Sequence, residues 1–232
     1  MIEKARKMVN ELMRKNTDGH GIDHVERVYQ LAMKFAKQEK ADEKIVALAA
    51  LLHDVDDYKF IGNKNIQKLQ NARHIMNKLK IDDKTKQAVE DIISKMGYSK
   101  YLKGIRPTTL EGQIVSDADM CDALGASGII RSLLYAISDK GNGRIFDPVV
   151  FPKTDIKASE YSANITTHDT DGFINHFFEK LLKLKNLMLT ESGKKEAKER
   201  HNLMVAFLEQ FFKEENALKW QKFLKDYLKK ID

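Results

Sequence analysis

The chain has 232 residues, enough to bury one sizeable hydrophobic core. Hydrophobic residues make up 42% and charged residues 32% of the chain, as in ordinary globular proteins, and no low-complexity tract is present. The formal net charge of +6 comes mostly from lysines spread along the whole chain, which indicates a solvated surface. The alternative is that part of this excess lines a cleft for a polyanion such as a nucleotide.

The single cysteine, Cys121, excludes an intrachain disulfide, and we expect it to be a small buried hydrophobe. The charged, amphipathic N-terminal segment lacks the apolar core of a signal peptide. No apolar run approaches the roughly 20 residues of a membrane span. We therefore expect a cytoplasmic protein with no membrane partner.

Apolar residues recur at the helical period through almost the whole chain. In the first segment, Ala5, Met8, Val9 and Leu12 fall on one face. Asp42 is placed to cap the most apolar helix, and Thr108 with Glu111 forms a candidate capping box further along. The periodicity predicts helices over residues 3–15, 22–38, 42–53, 65–79, 84–96, 108–124, 126–138, 170–188, 194–213 and 215–229.

Residues 141–169 form the one long stretch without helical periodicity. A loop of this length in a compact domain is often functional. The three prolines, Pro107, Pro148 and Pro152, fall where helix breaks are expected. We predict an all-α protein with a single helical domain over residues 1–232, divided into a core of about 18–125 and a helical extension of about 126–232 that includes this loop.

The dipeptide His53-Asp54 is the most informative feature of the sequence, because it closes the longest apolar run, residues 45–52. A buried helix rarely ends in adjacent His and Asp without a use for them, and the pair offers two ligands for a divalent cation. His24, on the first long helix, and Asp119, on a later one, are candidates to complete the site.

Two imidazoles and two carboxylates form a mixed nitrogen and oxygen set that suits Mn²⁺, Fe²⁺, Co²⁺, Ni²⁺ or Mg²⁺. Each residue alone also has a structural interpretation, since a lone histidine on a helix is more often half-buried and structural. Asp119 could equally lie on a solvated face. The order, spacing and context of the four residues together favour a metal site.

These residues, in the order H…HD…D, resemble the signature of the HD-domain superfamily of metal-dependent phosphohydrolases, which has an all-α fold. His24 stands in HVERV, His53 and Asp54 in LLHD, and Asp119 in AD-x-x-DAL. Asp117 could be the ligand instead of Asp119, but carboxylates two helical positions apart point about 200° apart, so at most one should reach the metal. The register of D-x-x-D-A-L favours Asp119.

The chain also resembles one small bacterial branch of this superfamily. The resemblance lies in the late segment HFFEKLLKLKNLMLTESGKKEAKERHNLM and in DDYKF after the HD pair. Metal-dependent nucleotide pyrophosphohydrolase activity is known in that branch, and the resemblance covers about residues 18–214. It implies hydrolysis of (deoxy)nucleoside triphosphates to monophosphate and pyrophosphate by water that the cation activates as hydroxide. Mn²⁺ is the preferred cation, with Mg²⁺, Co²⁺, Ni²⁺ or Fe²⁺ as alternatives.

The resemblance also implies residues around the metal. Asp57 and His20 are candidate catalytic groups, since an acidic residue three positions after the HD pair can assist attack or leaving-group protonation in related hydrolases. The structural alternative for Asp57 is a surface carboxylate paired with Lys59. The candidate substrate-binding cations, some of which could equally be helix-surface charges, are Arg27, Lys59, Arg144, Lys180, Lys183 and Arg200.

Two other functions stay open from the sequence. The same metal could serve a phosphomonoesterase or phosphodiesterase of nucleoside monophosphates or signalling nucleotides, although cyclic-dinucleotide phosphodiesterases carry a GYP word after the HD pair and this chain has DDYKF. A basic helical nucleic-acid-binding protein is the non-enzymatic alternative, but no nucleic-acid-binding motif is visible. We expect a small-molecule nucleotide as the partner. The apolar helices at 126–138 and 203–228 could form part of the core, which is the commoner arrangement, or the interface of a homodimer.

Overall fold

The computed structural model describes residues 1–14, 21–56, 69–139, 141, 143–155 and 172–231, and every regular element in these ranges is a helix. The all-α prediction is confirmed. One of these helices, Leu181–Leu187, is a 3-10 helix. The α-helices are α1 (Ile2–Met13), α2 (Ile22–Glu39), α3 (Glu43–Leu52), α4 (Gln70–Lys78), α5 (Asp83–Lys95), α6 (Tyr98–Leu102), α7 (Leu110–Asp122), α8 (Gly125–Ile137), α9 (Phe173–Glu179), α10 (Glu191–Glu214) and α11 (Leu218–Ile231).

Short elements are where the structure departs from the predicted helices. The five-residue helix α6 was not predicted, because one turn and a half is too short to show a periodic pattern. The helix predicted over 170–188 is in fact α9 followed by the 3-10 helix, separated at Lys180, whose φ is −138°. In α1 the chain buries Ala5, Val9 and Met13, whereas Leu12, assigned to the same face from the sequence, is half exposed.

The cap of α7 also differs from the predicted capping box. The Gly112 amide donates to the hydroxyl of Thr109 at 3.2 Å, so the cap lies one residue after Thr108. Glu111 accepts instead from the backbone amide of Asp42, again at 3.2 Å, and so joins the start of α7 to the start of α3.

The chain divides into two compact units. The first consists of residues Met1–Asp122 together with Leu189–Gly193, and the second of Ala123–Met188 together with Lys194–Asp232. The first unit is therefore completed by a short segment from late in the sequence. The predicted single domain, with its core limits of about 18–125, stays a prediction.

Helix α3 forms the centre of the first unit. Its residues 46–52 are all buried, and α1, α2, α5 and α7 pack against it. Burial of each valine or leucine side chain among them contributes about 1.5–3 kcal/mol. The carboxylate of Asp42 caps the helix by accepting from the amides of Lys44 and Ile45 at 2.9 and 3.2 Å. The prediction of a capped, buried helix leading to His53 is confirmed.

The second unit is built around aromatic rings. Trp220 is buried among Phe146, Phe151, Phe178, Phe212 and Phe223, with ring centroids between 4.6 and 5.8 Å away. Its indole N–H donates to the carbonyl of Pro148 at 3.0 Å, so the one polar atom of the ring has a partner.

Among the described residues, no single helix is both long and apolar enough to cross a membrane. Helices α7 and α8 reach that length and composition only when they are taken together as a broken span.

Candidate metal centre

Three helices of the first unit supply the predicted ligands. His24 lies in the first turn of α2, where its amide donates to the carbonyl of Gly21 at 3.1 Å. His53 is the C-terminal cap of α3, and Asp54 lies in the turn that follows. Asp119 lies on α7. Because α2 packs against both α3 and α7, these side chains meet although they are far apart in sequence.

The side chains converge on one another. The Nε2 atoms of His24 and His53 are 3.2 Å apart. Carboxylate oxygens of Asp54 lie 3.3 Å from His24 Nε2 and 3.5 Å from His53 Nε2. Asp119 Oδ1 lies 3.4 and 3.8 Å from the same two nitrogens. The side chains of His24 and His53 are only 2% and 3% exposed, against 13% for Asp54 and 25% for Asp119, so the cluster is most accessible beside Asp119.

Hydrogen bonds on the far side of each imidazole determine which nitrogen faces the cluster. His53 Nδ1 lies 2.8 Å from the carbonyl oxygen of Ala50, which can only accept, so Nδ1 carries the proton. His24 Nδ1 lies 2.7 Å from Asp122 Oδ2, and the same reasoning places a proton on it. In the neutral rings both Nε2 atoms therefore present lone pairs to the two nearby carboxylates.

This donor set fits a divalent cation. Donor atoms about 2.1 Å from a common ion lie about 3.0 Å apart at right angles and about 4.2 Å apart when opposite. The contacts of 3.2–3.8 Å between the side chains fall between these limits. One ligand atom from each of His24, His53 and Asp119 lies within 4.8 Å of the others, so these residues could hold a metal ion. Without a cation, lone pairs and carboxylate oxygens would face each other at close range.

Asp117 has different partners from Asp119, as the expected 200° separation implies. Its carboxylate is fully buried and accepts from the Leu189 amide at 3.0 Å, the Thr190 amide at 2.7 Å and the Thr190 hydroxyl at 2.8 Å. The Thr190 hydroxyl in turn accepts from the amide of Gly193 at 3.0 Å. Asp117 thus binds the segment that starts α10, while Asp119 faces the histidines.

A partner of the site that the sequence analysis missed is Asp122. It is buried and accepts from His24 Nδ1, and Arg27 donates to its two oxygens at 2.7 and 3.1 Å. Its hydrogen bond raises the pKa of the Arg27 guanidinium above the usual value. The available signal was spacing, because Asp122 follows Asp119 by three residues, as Arg27 follows His24, and residues three apart share a helix face.

The other predicted site residues fall into two groups. His20, Asp57 and Lys59 lie outside the described residues, so their roles stay predictions. The remaining cations, Arg144, Lys180, Lys183 and Arg200, belong to the second unit, and their roles stay predictions too.

The partners of Arg200 and Lys183 lie within that unit. Arg200 is paired with Glu196 at 2.9 Å. Lys183 donates to the carbonyl of Thr154, and burial lowers the pKa of its ammonium group.

Comparison with known proteins places this centre in a family. The sequence pattern of the HD domain matches residues 21–124, the stretch that contains all four predicted ligands. An uncharacterized protein of Bacillus subtilis, YpgQ, is 31% identical to this chain over an alignment of 231 positions. The alignment covers 91% of this chain and 92% of YpgQ. The chain belongs to the HD-domain hydrolase superfamily. The predicted resemblance is thereby confirmed at the level of the superfamily.

Several solved structures share the fold over nearly the whole chain. A Lactobacillus plantarum protein has a TM-score of 0.78 and 34% identity, covering 93% of this chain and 97% of its own. An HD-superfamily hydrolase of Bacillus thuringiensis has a TM-score of 0.71 with the same identity and coverage. YpgQ solved in complex with ADP has a TM-score of 0.69 and 27% identity, covering 92% of this chain and 97% of its own.

Proposed function

We propose that this HD-domain protein is a divalent-cation-dependent nucleotide phosphohydrolase that converts (deoxy)nucleoside triphosphates to monophosphates and pyrophosphate. The observation that carries the proposal is the convergence of two imidazole Nε2 atoms with the carboxylates of Asp54 and Asp119. The structure of YpgQ in complex with ADP supports a nucleotide as the ligand of this chain, because YpgQ aligns with nearly its full length.

His24, His53, Asp54 and Asp119 would hold the cation, with Mn²⁺ as the first candidate for this mixed donor set. When bound, such a cation polarises a phosphoryl oxygen and lowers the pKa of water, which provides a nucleophile near neutral pH. The protein keeps both imidazoles buried and in one tautomer through their Nδ1 hydrogen bonds. Substrate phosphate would approach beside Asp119, the most exposed of the four side chains.

The activity is tested with the metal-stripped protein. Mn²⁺, Mg²⁺, Co²⁺ or Ni²⁺ is added back singly with nucleoside tri-, di- or monophosphates, and the products are resolved by chromatography. Cation-dependent release of pyrophosphate with a monophosphate supports the proposal. Orthophosphate from monophosphates would assign the phosphomonoesterase alternative. No turnover with any cation, together with salt-dependent nucleic-acid binding, would favour the non-enzymatic one.

The site is tested with the variants His53→Ala and Asp54→Ala. We expect each to abolish cation binding and turnover, because each removes a donor from the cluster, while the far-ultraviolet circular dichroism stays helical. His74→Ala is the matched control, since His74 is an exposed histidine on α4 of the same unit. Full activity in either site variant would disprove the assignment.

A further inference from the structure

Two turns of helix face each other beside the candidate metal centre. On α2, His24 and Arg27 lie three residues apart and share a face. On α7, Asp119 and Asp122 do the same. The imidazole of His24 lies between the two aspartates, with Nε2 3.4 Å from Asp119 Oδ1 and Nδ1 2.7 Å from Asp122 Oδ2.

Both oxygens of Asp122 are held in place. Arg27 Nε donates to Oδ1 at 2.7 Å and its Nη2 to Oδ2 at 3.1 Å, a two-point pairing that fixes the plane of the carboxylate. Oδ2 also accepts from His24 Nδ1. Asp122 is 1% exposed and is the last residue of α7, where the helix dipole disfavours a negative charge. Arg27 supplies the positive charge that offsets this cost.

We propose that Asp122, held by Arg27, is the positioning residue for His24: it keeps the proton on Nδ1 and aims Nε2 at the cation. The part that concerns the cation rests on the proposed function. Arg27 thereby has a role distinct from the substrate contact predicted from the sequence, because its guanidinium acts on the carboxylate behind the ligand. Partners of this kind raise ligand basicity and fix ring orientation.

The first test needs no cation. Long-range ¹H–¹⁵N NMR of histidine-labelled, metal-stripped protein at pH 8 reports which ring nitrogen of each histidine carries the proton. We expect His24 in the Nδ1–H form in the wild-type protein and in a mixture of tautomers in Asp122→Asn, since an asparagine amide can point either its oxygen or its nitrogen at the ring. His24 already mixed or Nε2–H in the wild-type protein would overturn the inference, whatever the activity.

The second test measures the dissociation constant for Mn²⁺ by calorimetry, without nucleotide. Loss of such a partner typically weakens metal binding about 10–100-fold, so we expect that range for Asp122→Asn and about tenfold for Arg27→Gln. The matched control is Arg73→Gln, because Arg73 makes a similar two-point pair with Glu90, at 2.9 and 2.7 Å. This pair joins α4 and α5, which carry none of the four candidate ligands. It should bind Mn²⁺ within about twofold of the wild-type protein.

Turnover at saturating Mn²⁺ separates the two roles of Arg27. A positioning defect is rescued by excess cation, whereas a lost substrate contact leaves KM raised at any Mn²⁺ concentration. Unchanged Mn²⁺ affinity in Asp122→Asn would overturn the positioning role. Unchanged affinity in Arg27→Gln with a raised KM would return Arg27 to substrate binding. A wild-type protein with the Nδ1–H tautomer but no Mn²⁺ binding would refute the proposed function and leave the tautomer assignment standing.

Discussion

Substituting Asp117 and Asp119 separately by asparagine tests which of them is the metal ligand. We expect the change at Asp117 to lower stability and the change at Asp119 to abolish the response to Mn²⁺. Asp117→Asn and Asp119→Asn each remove one negative charge from α7 without changing side-chain size. Asp117 is fully buried and accepts from two amides and a hydroxyl of Leu189 and Thr190. Asp119 is a quarter exposed and contacts the two histidines.

The magnitude follows from the lost hydrogen bonds. A hydrogen bond to a charged group contributes about 1.5–3 kcal/mol, and an asparagine oxygen can replace only part of what the Asp117 carboxylate accepts. Loss of two such bonds lowers the free energy of unfolding by about 3 kcal/mol or more. For a chain of this size that corresponds to a fall in Tm of about 6–12 °C. Asp119→Asn should change the Tm of the metal-stripped protein by no more than about 2 °C.

The assay is thermal unfolding of metal-stripped protein with and without Mn²⁺. A ligand at 100 times its Kd stabilises the folded state by about 2.7 kcal/mol. We therefore expect the Mn²⁺-dependent rise in Tm to persist in Asp117→Asn and to disappear in Asp119→Asn. If Asp117→Asn melts like the wild-type protein and loses the Mn²⁺ response, then Asp117 and not Asp119 is the ligand.

Further variants probe packing in each unit. In Gly193→Ala the new Cβ would lie 2.3 Å from Asp117 Oδ2 and 2.8 Å from its Cγ, so we expect a loss of about 1–3 kcal/mol. Gly172→Ala is the control, since its Cβ would meet nothing nearer than 3.6 Å, and equal denaturant midpoints for the two would contradict this prediction. Trp220→Ala removes the buried centre of the aromatic core, so we expect the free energy of unfolding, measured with denaturant, to fall by about 3–5 kcal/mol. A fall below about 1 kcal/mol would mean that the packing of the neighbouring rings does not depend on Trp220.

Structural features that depend on residues close together in the sequence could be predicted. Contacts between residues far apart in the sequence could not. The capped, buried helix α3 follows from Asp42 and an unbroken apolar run, so its limits were predicted within one residue. The choice of Asp119 over Asp117 as the candidate ligand came from the family pattern, and in the structure Asp119 contacts the two histidines. The partners of Asp117 lie 72 and 73 residues away, and no local pattern points to them.

The ion pair of Arg27 and Asp122, which was not predicted, shows the same limit of prediction from sequence. Their sequence separation is 95 residues, and their contact depends on the register between α2 and α7. That register is a property of the packed helices, and periodicity within one helix carries no information about it. The spacing of three residues on each helix becomes informative only when the two faces are known to meet.

The late segment Leu189–Gly193 has a consequence for how the protein can be made and cut. Residues 21–124, which match the HD-domain pattern, contain all four candidate ligands. When this stretch has emerged from the ribosome, the amides of Leu189 and Thr190 that donate to Asp117 have not yet emerged. The first unit cannot finish folding as it emerges, and must wait for residue 193. A fragment ending at 124 would carry the complete family signature and yet contain a buried carboxylate without its hydrogen-bond donors. We therefore expect the stretch that matches the family pattern to need residues 189–193 for its full stability.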